Sequence, residues 1–298
     1  MPEMSLPTIV SRELSRTAWI RVASYQYSVE QGARPIEEVY EQPHIVLLHG
    51  GVVQCRTSRS PVTLFPGAVL LANARVPHEY SYQPGWPERC VSFAYDPRVF
   101  EDILRNLGVA SARFHSLSLA PSARFAAIAQ LLVDGDSRES AEEWAYALAA
   151  EVFENQAGRR APPANSTHIE RRRAIEACRL IESRSSEPLP LATIAAELGL
   201  SPFHFLRCFK NATGVTPHQY IVQTRLRSAA RLVLETSQPI IDIALAAGFP
   251  DLANFNRSFR KAIGCAPRLL RQRRGAALRR MGPRSAEDSK IRRVSQLA

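Results

Sequence analysis

Residues 191–217 of the chain, LATIAAELGLSPFHFLRCFKNATGVTP, recur in a diverged form at residues 241–267, IDIALAAGFPDLANFNRSFRKAIGCAP. Residues before the turn recur 49 positions later, as Ile194/Ile243, Ala195/Ala244 and Gly199/Gly248. Residues after the turn recur 50 positions later, as Phe205/Phe255, Arg207/Arg257, Phe209/Phe259, Gly214/Gly264 and Pro217/Pro267. A repeat at a fixed spacing is a signal of the fold. The second copy therefore repeats the structure of the first with one extra residue in its turn.

Each copy has the residue order of a helix-turn-helix unit. In the first copy, Ala195 lets a second helix cross closely, and Gly199 can end the first helix in a left-handed conformation. Ser201 and Pro202 suit the cap and the first turn of the second helix. The second copy offers the same chemistry with Ala244, Gly248, Pro250 and Asp251. We predict two helix-turn-helix units.

The second helix of each unit has one buried and one exposed side. Phe205 and Phe209 are four residues apart and can be buried together, and Arg207 is rotated away from them. Phe255, Phe259 and Arg257 repeat this pattern. An exposed arginine here suits guanine or phosphate contacts in a major groove.

A single helix is predicted between the copies, from about Pro217 to Glu235. At about 1.5 Å per residue it would span roughly 28 Å. That length would set the two second helices about one DNA turn apart, near 34 Å.

These residues, from about Ile169 to Arg274, resemble the AraC/XylS family of bacterial regulators. The resemblance is carried by GLSPFHFLRCFKNATGVTPHQYI, RLRSAARLVLE and IALAAGFPDLANFNRSFRKAIGCAPRLLR. It implies an all-α DNA-binding domain whose two recognition helices enter successive major grooves. Ala253 departs from the serine that the family often has, and Ala266 from its usual threonine.

Carried over by position, the resemblance implies DNA contacts by Phe203, His204, Leu206, Arg207, Lys210, Leu252, Ala253, Asn256, Arg257 and Arg260. Packing is an equal alternative for Phe203 and Leu206. A solvated face or a phosphate contact is the alternative for Arg207 and Arg257. His204 is expected on phosphate or sugar. Charges that position the DNA backbone are expected from Lys210, Arg260 and Lys261.

The charge of the chain is concentrated in its second half. Residues 1–165 carry 15 basic and 18 acidic residues, whereas residues 166–298 carry 23 basic and 10 acidic residues. Such a division suggests that one end meets a polyanion, with nucleic acid as the first candidate and an anionic membrane surface as the second. We expect no transmembrane helix and no export signal, and therefore a cytoplasmic protein.

The five cysteines neither pair up nor form a CxxC motif, so we expect no disulfide framework or zinc site. In the first half, the histidines of the β-rich region, His44, His49 and His78, include no HxH pair. A metal needs three or four ligands. We expect no metal and no other cofactor.

The first half is predicted to be β-rich from about residue 17 to 95, with short strands between turns. LFPGAVLLANARVPHEYSY (64–82) resembles the cupin-like sensor domain of many AraC/XylS regulators. A small-molecule pocket could be lined by His78, Tyr80, Tyr82 and Trp86, although core or surface packing is as good an interpretation. Residues 96–157 are predicted to be helical, with Trp144, Leu148, Val152 and Phe153 on one stripe. The resemblance implies a dimerisation surface there, and the stripe fits an intrachain core equally well.

These patterns predict an α+β protein. A β-rich, cupin-like sensor and dimerisation domain with helices (1–157) precedes a linker (158–168), an all-α DNA-binding domain with two helix-turn-helix units (169–274) and a basic, disordered tail (275–298). We expect a sequence-specific transcription factor and not an enzyme. It would be a homodimer that responds to a small-molecule effector and activates nearby operons through RNA polymerase. The alternatives are a cupin-type metalloenzyme tethered to a DNA-binding domain and a nonspecific architectural DNA binder.

Overall fold

The computed structural model describes residues 6–58, 61–109, 111, 113–134, 138–158 and 166–272. They form two compact units. The first unit contains the described residues up to Leu119 and helix α3 (Arg138–Gly158); the second contains helix α2 (Ala123–Asp134) and the described residues from 166 onward. Residues 159–165 of the predicted linker and the predicted tail 275–298 lie outside the described residues.

The first unit is built from ten strands in its described part. Their bounds are β1 (Thr8–Arg16), β2 (Ile20–Ser28), β3 (Ile36–Val39), β4 (His44–Gly50), β5 (Val53–Arg56), β6 (Val62–Leu64), β7 (Val69–Ala72), β8 (Pro77–Tyr82), β9 (Glu88–Tyr95) and β10 (Ser118–Leu119). One sheet has the order β1-β2-β9-β4-β7-β10 and the other the order β3-β8-β5-β6. All their pairings are antiparallel. The predicted β-rich region is confirmed, and its first strand begins at Thr8, nine residues before the predicted start at 17.

The two sheets share a buried core. Val46, Leu48 and Leu70 of the six-stranded sheet pack in one cluster with Val53 and Leu64 of the four-stranded sheet. Burial of these side chains from both sheets gives the hydrophobic stabilisation that holds a two-layer β structure together.

Helix α1 (Pro97–Asn106) begins with the predicted cap. The Asp96 side chain accepts hydrogen bonds from the backbone N–H groups of Arg98 and Val99, and Pro97 occupies the first turn. Phe100 of α1, Phe114 and Phe153 of α3 have ring centroids 5.5–5.9 Å apart. The hydroxyl of Tyr95 donates to the carbonyl of Ala145 on α3 at 2.9 Å. These contacts attach both helices to the β structure of the first unit.

The second unit is helical in its described part. Besides α2, it contains α4 (His168–Arg184), α5 (Leu191–Glu197), α6 (Pro202–Thr213), α7 (Pro217–Glu235), α8 (Ile240–Ala246) and α9 (Leu252–Ile263). Four residues separate α5 from α6, and five separate α8 from α9. The two predicted helix-turn-helix units, the extra turn residue and the bounds of the connecting helix α7 are confirmed.

A buried polar contact joins α4 to α7. The Arg227 guanidinium pairs with the Glu182 carboxylate, which also accepts from the hydroxyl of Tyr220 at 2.9 Å. The Arg227 guanidinium lies 5.4 Å from the centroid of the Tyr220 ring. A buried charge is stable only when it is paired and hydrogen-bonded, so this set of contacts fixes how α7 lies on α4.

Helix α2 belongs to the second unit, although its residues fall within the segment 1–157 predicted as the first domain. Ala123 and Ala127 of α2 are buried in the same core as Ala230 of α7 and Phe259 of α9. The sequence ARFAAIAQLLVD is apolar on most sides and carries no signal for the unit in which it packs. The predicted domain boundaries otherwise stay a prediction.

Gly199 and Gly248 follow the first helices of the two helix-turn-helix units, and they provide a matched test of the turns. Both have positive φ, 65° and 86°. A Cβ at Gly248 would lie 2.7 Å from the Ser186 carbonyl oxygen and 3.0 Å from Nε of Arg225, whereas a Cβ at Gly199 would meet nothing within 4 Å. Arg225 is held in place because it donates to the Ser185 carbonyl at 2.6 Å and to the Glu187 carbonyl at 2.8 Å.

We expect Gly199→Ala to lower the free energy of unfolding by about 1–2 kcal/mol, the cost of a left-handed alanine. Gly248→Ala should cost about 2–5 kcal/mol, because overpacking adds to that term. Urea unfolding of both full-length variants measures the difference. Equal losses would show that the close approach at Gly248 relaxes without cost.

Within the described ranges, no helix combines the length and apolarity needed to cross a bilayer.

Candidate nucleic-acid interface and internal cavity

Helix α6 presents one side to its unit and another to solvent. Phe205 and Phe209 are each 1% exposed and hold the helix against the core, with ring centroids 5.6 Å apart. Ser201 caps its start by accepting from the N–H of His204 at 3.3 Å, and Gly214 ends it with φ of 79°. The predicted contact residues on its other side are exposed at Phe203, Arg207 and Lys210 and half-buried at His204 and Leu206.

Helix α9 repeats this arrangement. Phe255 and Phe259 are fully buried, and the Asp251 carboxylate caps the start by accepting from the N–H of Asn254 at 2.7 Å. Of the predicted contact residues, Ala253, Arg257 and Arg260 are exposed, and Asn256 and Leu252 are half-buried. Leu252 packs against the core of the unit, which favours packing over DNA contact for this residue.

The basic residues of α9 gather on one side of the helix. Asn256, Arg257, Arg260 and Lys261 line a single open concavity on the surface. Arg257 precedes Arg260 by three residues and Lys261 by four, and Asn256 precedes Arg260 by four; such spacings bring side chains to the same helical face. The structure therefore brings together three of the predicted contact residues and the predicted backbone-positioning Lys261.

The arginines of the two second helices are available to a partner. In the part of the chain that the structure describes, neither Arg207 nor Arg257 has a carboxylate within ion-pair distance. Other arginines of the unit are engaged, as in the pair between Arg231 and Glu235 at 2.9 Å. An exposed, unpaired guanidinium can present its donors to phosphate oxygens or to a guanine edge.

The first unit contains an internal cavity between its two sheets. Polar groups from four stretches of the chain line it together with apolar side chains, and the lining residues are Tyr27, Glu38, Tyr40, Val46, Leu48, Val53, Leu64, Leu70, Tyr80, Tyr82, Glu88 and Cys90. About 30 Å³ of the cavity is open to the centres of water molecules. That is two to three times the space that one water requires, so the cavity suits a compact guest.

Two of the four predicted pocket residues, Tyr80 and Tyr82, line this cavity, and His78 and Trp86 are not among its lining residues. His78 is buried behind the lining, where its ring stacks on that of Tyr80 and its Nδ1 donates to the Val76 carbonyl at 2.7 Å. Trp86 lies half-buried in the turn before β9.

Sequence reasoning missed the other polar lining residues, Tyr27, Tyr40, Glu38 and Glu88. The tyrosine rings of Tyr27 and Tyr82 stack with centroids 4.9 Å apart. The hydroxyl of Tyr40 donates to the Glu38 carboxylate at 2.9 Å and lies 2.9 Å from the hydroxyl of Tyr80. Alternation of side chains along β2 and β8 is the signal that could have pointed to Tyr27 and Tyr82 as inward-facing.

Burial controls the protonation of the lining. It raises the pKa of Glu88 to about 8, and the nearby carboxylate of Glu38 adds to this effect, whereas a hydrogen bond with the Cys90 thiol opposes it. Burial also raises the pKa of Glu38, against the effect of its bond to Tyr40. Burial raises the pKa values of Tyr80 and Tyr82 well above their usual range, so both phenols stay neutral donors.

Two histidines of the first unit, His44 and His78, lie against the ring of Tyr40, with centroids 4.3 and 5.4 Å from its centroid. Burial lowers the pKa of His44 and of His49 to about 4 each, and Nδ1 of His44 donates to the Gln42 carbonyl at 2.8 Å. Among the described residues, no three side chains of His, Cys, Asp and Glu are grouped so that they could hold a metal ion.

The predicted helical stripe on α3 is used inside the first unit. Leu148, Val152 and Phe153 are buried, and Trp144 is half-buried. Phe153 packs against Phe100 of α1, with ring centroids 5.9 Å apart. Of the two interpretations left open by the sequence, these contacts favour an intrachain core for this stripe.

Two family models match parts of this chain. A family model described as a helix-turn-helix domain matches residues 194–273, and one described as an AraC-like ligand binding domain matches residues 30–152. The transcriptional regulator ArgR of Pseudomonas aeruginosa is 31% identical over 157 residues, which are 51% of this chain and 48% of that protein. The chain thus spans about half the length of this relative.

A second relative matches over most of its own length. The probable transcription factor PqrA of Proteus vulgaris is 37% identical over 87 residues, 29% of this chain and 71% of that protein. Among solved structures, a transcriptional regulator with an AraC-type DNA-binding domain from Chromobacterium violaceum is 32% identical. It covers 36% of this chain and 96% of its own, with a TM-score of 0.35.

Proposed function

The chain belongs to the AraC/XylS family of transcriptional regulators, and from this premise we propose that it binds specific DNA sites through α6 and α9 and regulates transcription in response to a small molecule. The proposed function involves no chemical reaction. It assigns the protein to the bacterial cytoplasm, where its DNA lies.

The observation that supports this proposal best is the matched pair of second helices. Each is fixed to the core by two buried phenylalanines and presents an exposed arginine to solvent, Arg207 on α6 and Arg257 on α9. In a helix-turn-helix unit the second helix enters the major groove with this exposed side. Because both helix-turn-helix units carry an arginine at the same position, both second helices could contact bases on the same face of the DNA.

The connecting helix α7 suits the spacing of two adjacent grooves. Its 19 residues span about 28 Å at about 1.5 Å per residue. One helical turn of DNA is about 34 Å. We propose that α6 and α9 enter successive major grooves, with Arg207 and Arg257 at base edges and with Lys210, Arg260 and Lys261 on phosphates.

Regulation would begin in the β-rich unit. A ligand changes DNA binding only if it has different affinities for two states of the protein. We propose that the internal cavity is the effector site.

We also propose that the protein acts as a homodimer and activates transcription by contacting RNA polymerase. Because Leu148, Val152 and Phe153 are buried within the first unit, a dimer interface would use other residues, such as the exposed Tyr146 of α3.

Mapping of the bound sites across the genome, followed by binding to one such site and to a scrambled version, tests the proposed function. Specific binding should exceed nonspecific binding by about 10³-fold or more. Equal affinity for both DNAs would indicate an architectural binder instead.

We expect Arg207→Ala and Arg257→Ala each to cost about 1–3 kcal/mol of binding to the mapped site, the value of a lost bidentate contact to a base. Both side chains are exposed, so the free energy of unfolding should change by less than about 0.5 kcal/mol. Lys210→Ala is the matched control, because a phosphate contact weakens binding to specific and scrambled DNA alike. Gel-shift titrations on both DNAs give the comparison. If the arginine variants lose the same affinity on both DNAs, Arg207 and Arg257 contact phosphates and not bases.

A further inference from the structure

The cavity between the sheets holds two carboxyl groups among aromatic rings. Glu88 is only 5% exposed and lines the cavity together with Glu38. The hydrogen-bond partner identified for Glu88 is the thiol of Cys90, which is a weak donor. An ionised carboxyl group has about four acceptor positions, so most of the hydrogen-bonding capacity of Glu88 is open to a guest.

Among the described residues, no lysine, arginine or histidine pairs with either carboxyl group. Besides burial, the neighbours that shift the pKa of Glu88 are Cys90 and Glu38, and Glu88 in turn raises the pKa values of Tyr27 and Tyr82. Burial of a carboxylate is costly unless a positive group accompanies it. In the free protein Glu88 is therefore mostly protonated near neutral pH, and a cationic ligand would supply the positive group that favours its ionised form.

The aromatic walls favour the same kind of guest. Tyr27, Tyr40, Tyr80 and Tyr82 line the cavity. Aromatic rings attract cations, and phenol hydroxyls can accept hydrogen bonds. The hydroxyls of Tyr40 and Tyr80 lie 2.9 Å apart and extend the hydrogen-bonded chain that ends at Glu38. An anion would face two carboxyl groups here, and a large neutral guest would exceed the available space.

We propose that this cavity binds a compact organic cation that carries N–H donors, such as an alkylammonium or a guanidinium group. The N–H groups would donate to Glu88 and Glu38, and the carbon atoms would contact the tyrosine rings and the apolar side of the cavity, formed by residues such as Val46 and Leu70. The regulatory meaning of this binding depends on the proposed function, because the cation would be the effector of the regulator.

Isothermal titration calorimetry of the full chain with methylguanidinium and ethylammonium tests the proposal. Ethanol and acetate serve as neutral and anionic probes of similar size. Both cations should bind about tenfold more tightly than ethanol or acetate, because charge-assisted hydrogen bonds form only with the cations. Equal or tighter binding of ethanol or acetate, or binding of neither cation at millimolar concentrations, overturns the proposal.

Glu88→Gln and Glu37→Gln provide the matched variants. Glu88→Gln keeps the shape of the side chain and should weaken binding of methylguanidinium about tenfold or more. Glu37, next to Glu38 on β3, is exposed and outside the cavity lining, so Glu37→Gln should leave the affinity unchanged. Undiminished binding by Glu88→Gln contradicts the proposal.

Proton release gives a second readout, independent of any loss of stability in the variant. The pKa of Glu88 is about 8 in the free protein, so this group is mostly protonated near neutral pH. A bound cation favours the ionised form; binding should therefore release a proton, and affinity should rise as the pH approaches 8. The groups that face Glu88 are Tyr27, Glu38, Tyr82 and Cys90. Calorimetry in two buffers of different ionisation enthalpy measures the release, and cation binding without it overturns the assignment to Glu88.

Gel shifts on a mapped DNA site separate this proposal from the proposed function. If the chain binds DNA specifically but binds ethanol and acetate as tightly as the cations, the proposed function stands and the proposed cation site is contradicted. If the chain binds the cations as described but binds no DNA site specifically, the cation site stands and the proposed function is contradicted.

Discussion

Inserting roughly five base pairs between the two DNA boxes contacted by α6 and α9 is expected to reduce binding to the nonspecific level. Half a helical turn rotates one box to the opposite face of the duplex. Both helices belong to one compact unit, joined by α7, and cannot follow that rotation. The expected loss is about 10³-fold or more, the usual ratio of specific to nonspecific affinity.

Gel-shift titration of the full chain on a genome-mapped site and its insertion variant measures this loss. The matched control places the same insertion just outside the boxes, where the affinity should stay unchanged. The two boxes should also differ in sequence, because PFHFLR and LANFNR present different side chains. The box read by α6 should tolerate fewer base changes than the other, because Ala253 of α9 offers no side-chain hydrogen bond to a base. Undiminished affinity on the insertion variant would mean that one unit alone reads sequence.

Binding to the mapped site is also expected to weaken by about 10³–10⁵-fold between about 50 and 200 mM salt, the range for roughly 6–10 phosphate contacts. The residues from 166 to 298 carry 23 basic residues against 10 acidic ones. The exposed Lys210, Arg260 and Lys261 lie on the helices that would meet the backbone. Each phosphate contact releases counterions when it forms, which makes affinity depend on salt.

Fluorescence anisotropy across a salt series gives the slope of log affinity against log salt. Lys210→Ala should lower that slope by about one, as expected for one lost phosphate contact. Glu37→Gln, which changes the charge of the first unit, is the control and should not alter it. A shallow slope for the unmodified protein would contradict an interface built on the basic second half.

Local chemistry made the helical half predictable. The paired motifs locate α5, α6, α8 and α9, and the caps Ser201 and Asp251 make the hydrogen bonds expected of them. Gly199 and Gly248 take the positive φ that their position after a helix requires. These features depend on residues close together in the sequence, which is why a repeat of about 50 positions was enough to identify them.

Tertiary packing made the rest unpredictable. Helix α2 has apolar residues on several sides, and only the folded chain shows that Ala123 and Ala127 pack in the core of the second unit. Tyr27, Glu38, Tyr82 and Glu88 lie on four strands that meet at one cavity through the sheet order. Strand order cannot be inferred from alternation along single strands. The DNA contacts and the effector site stay predictions.

Footprinting of the full chain on a genome-mapped site tests most directly whether both helices read DNA. We expect protection of two major-groove segments on one face of the duplex, centred about 10 base pairs apart. Arg207→Ala should weaken protection of one segment and Arg257→Ala that of the other. A single protected segment, or protection that both variants weaken in the same place, would contradict reading by two helices.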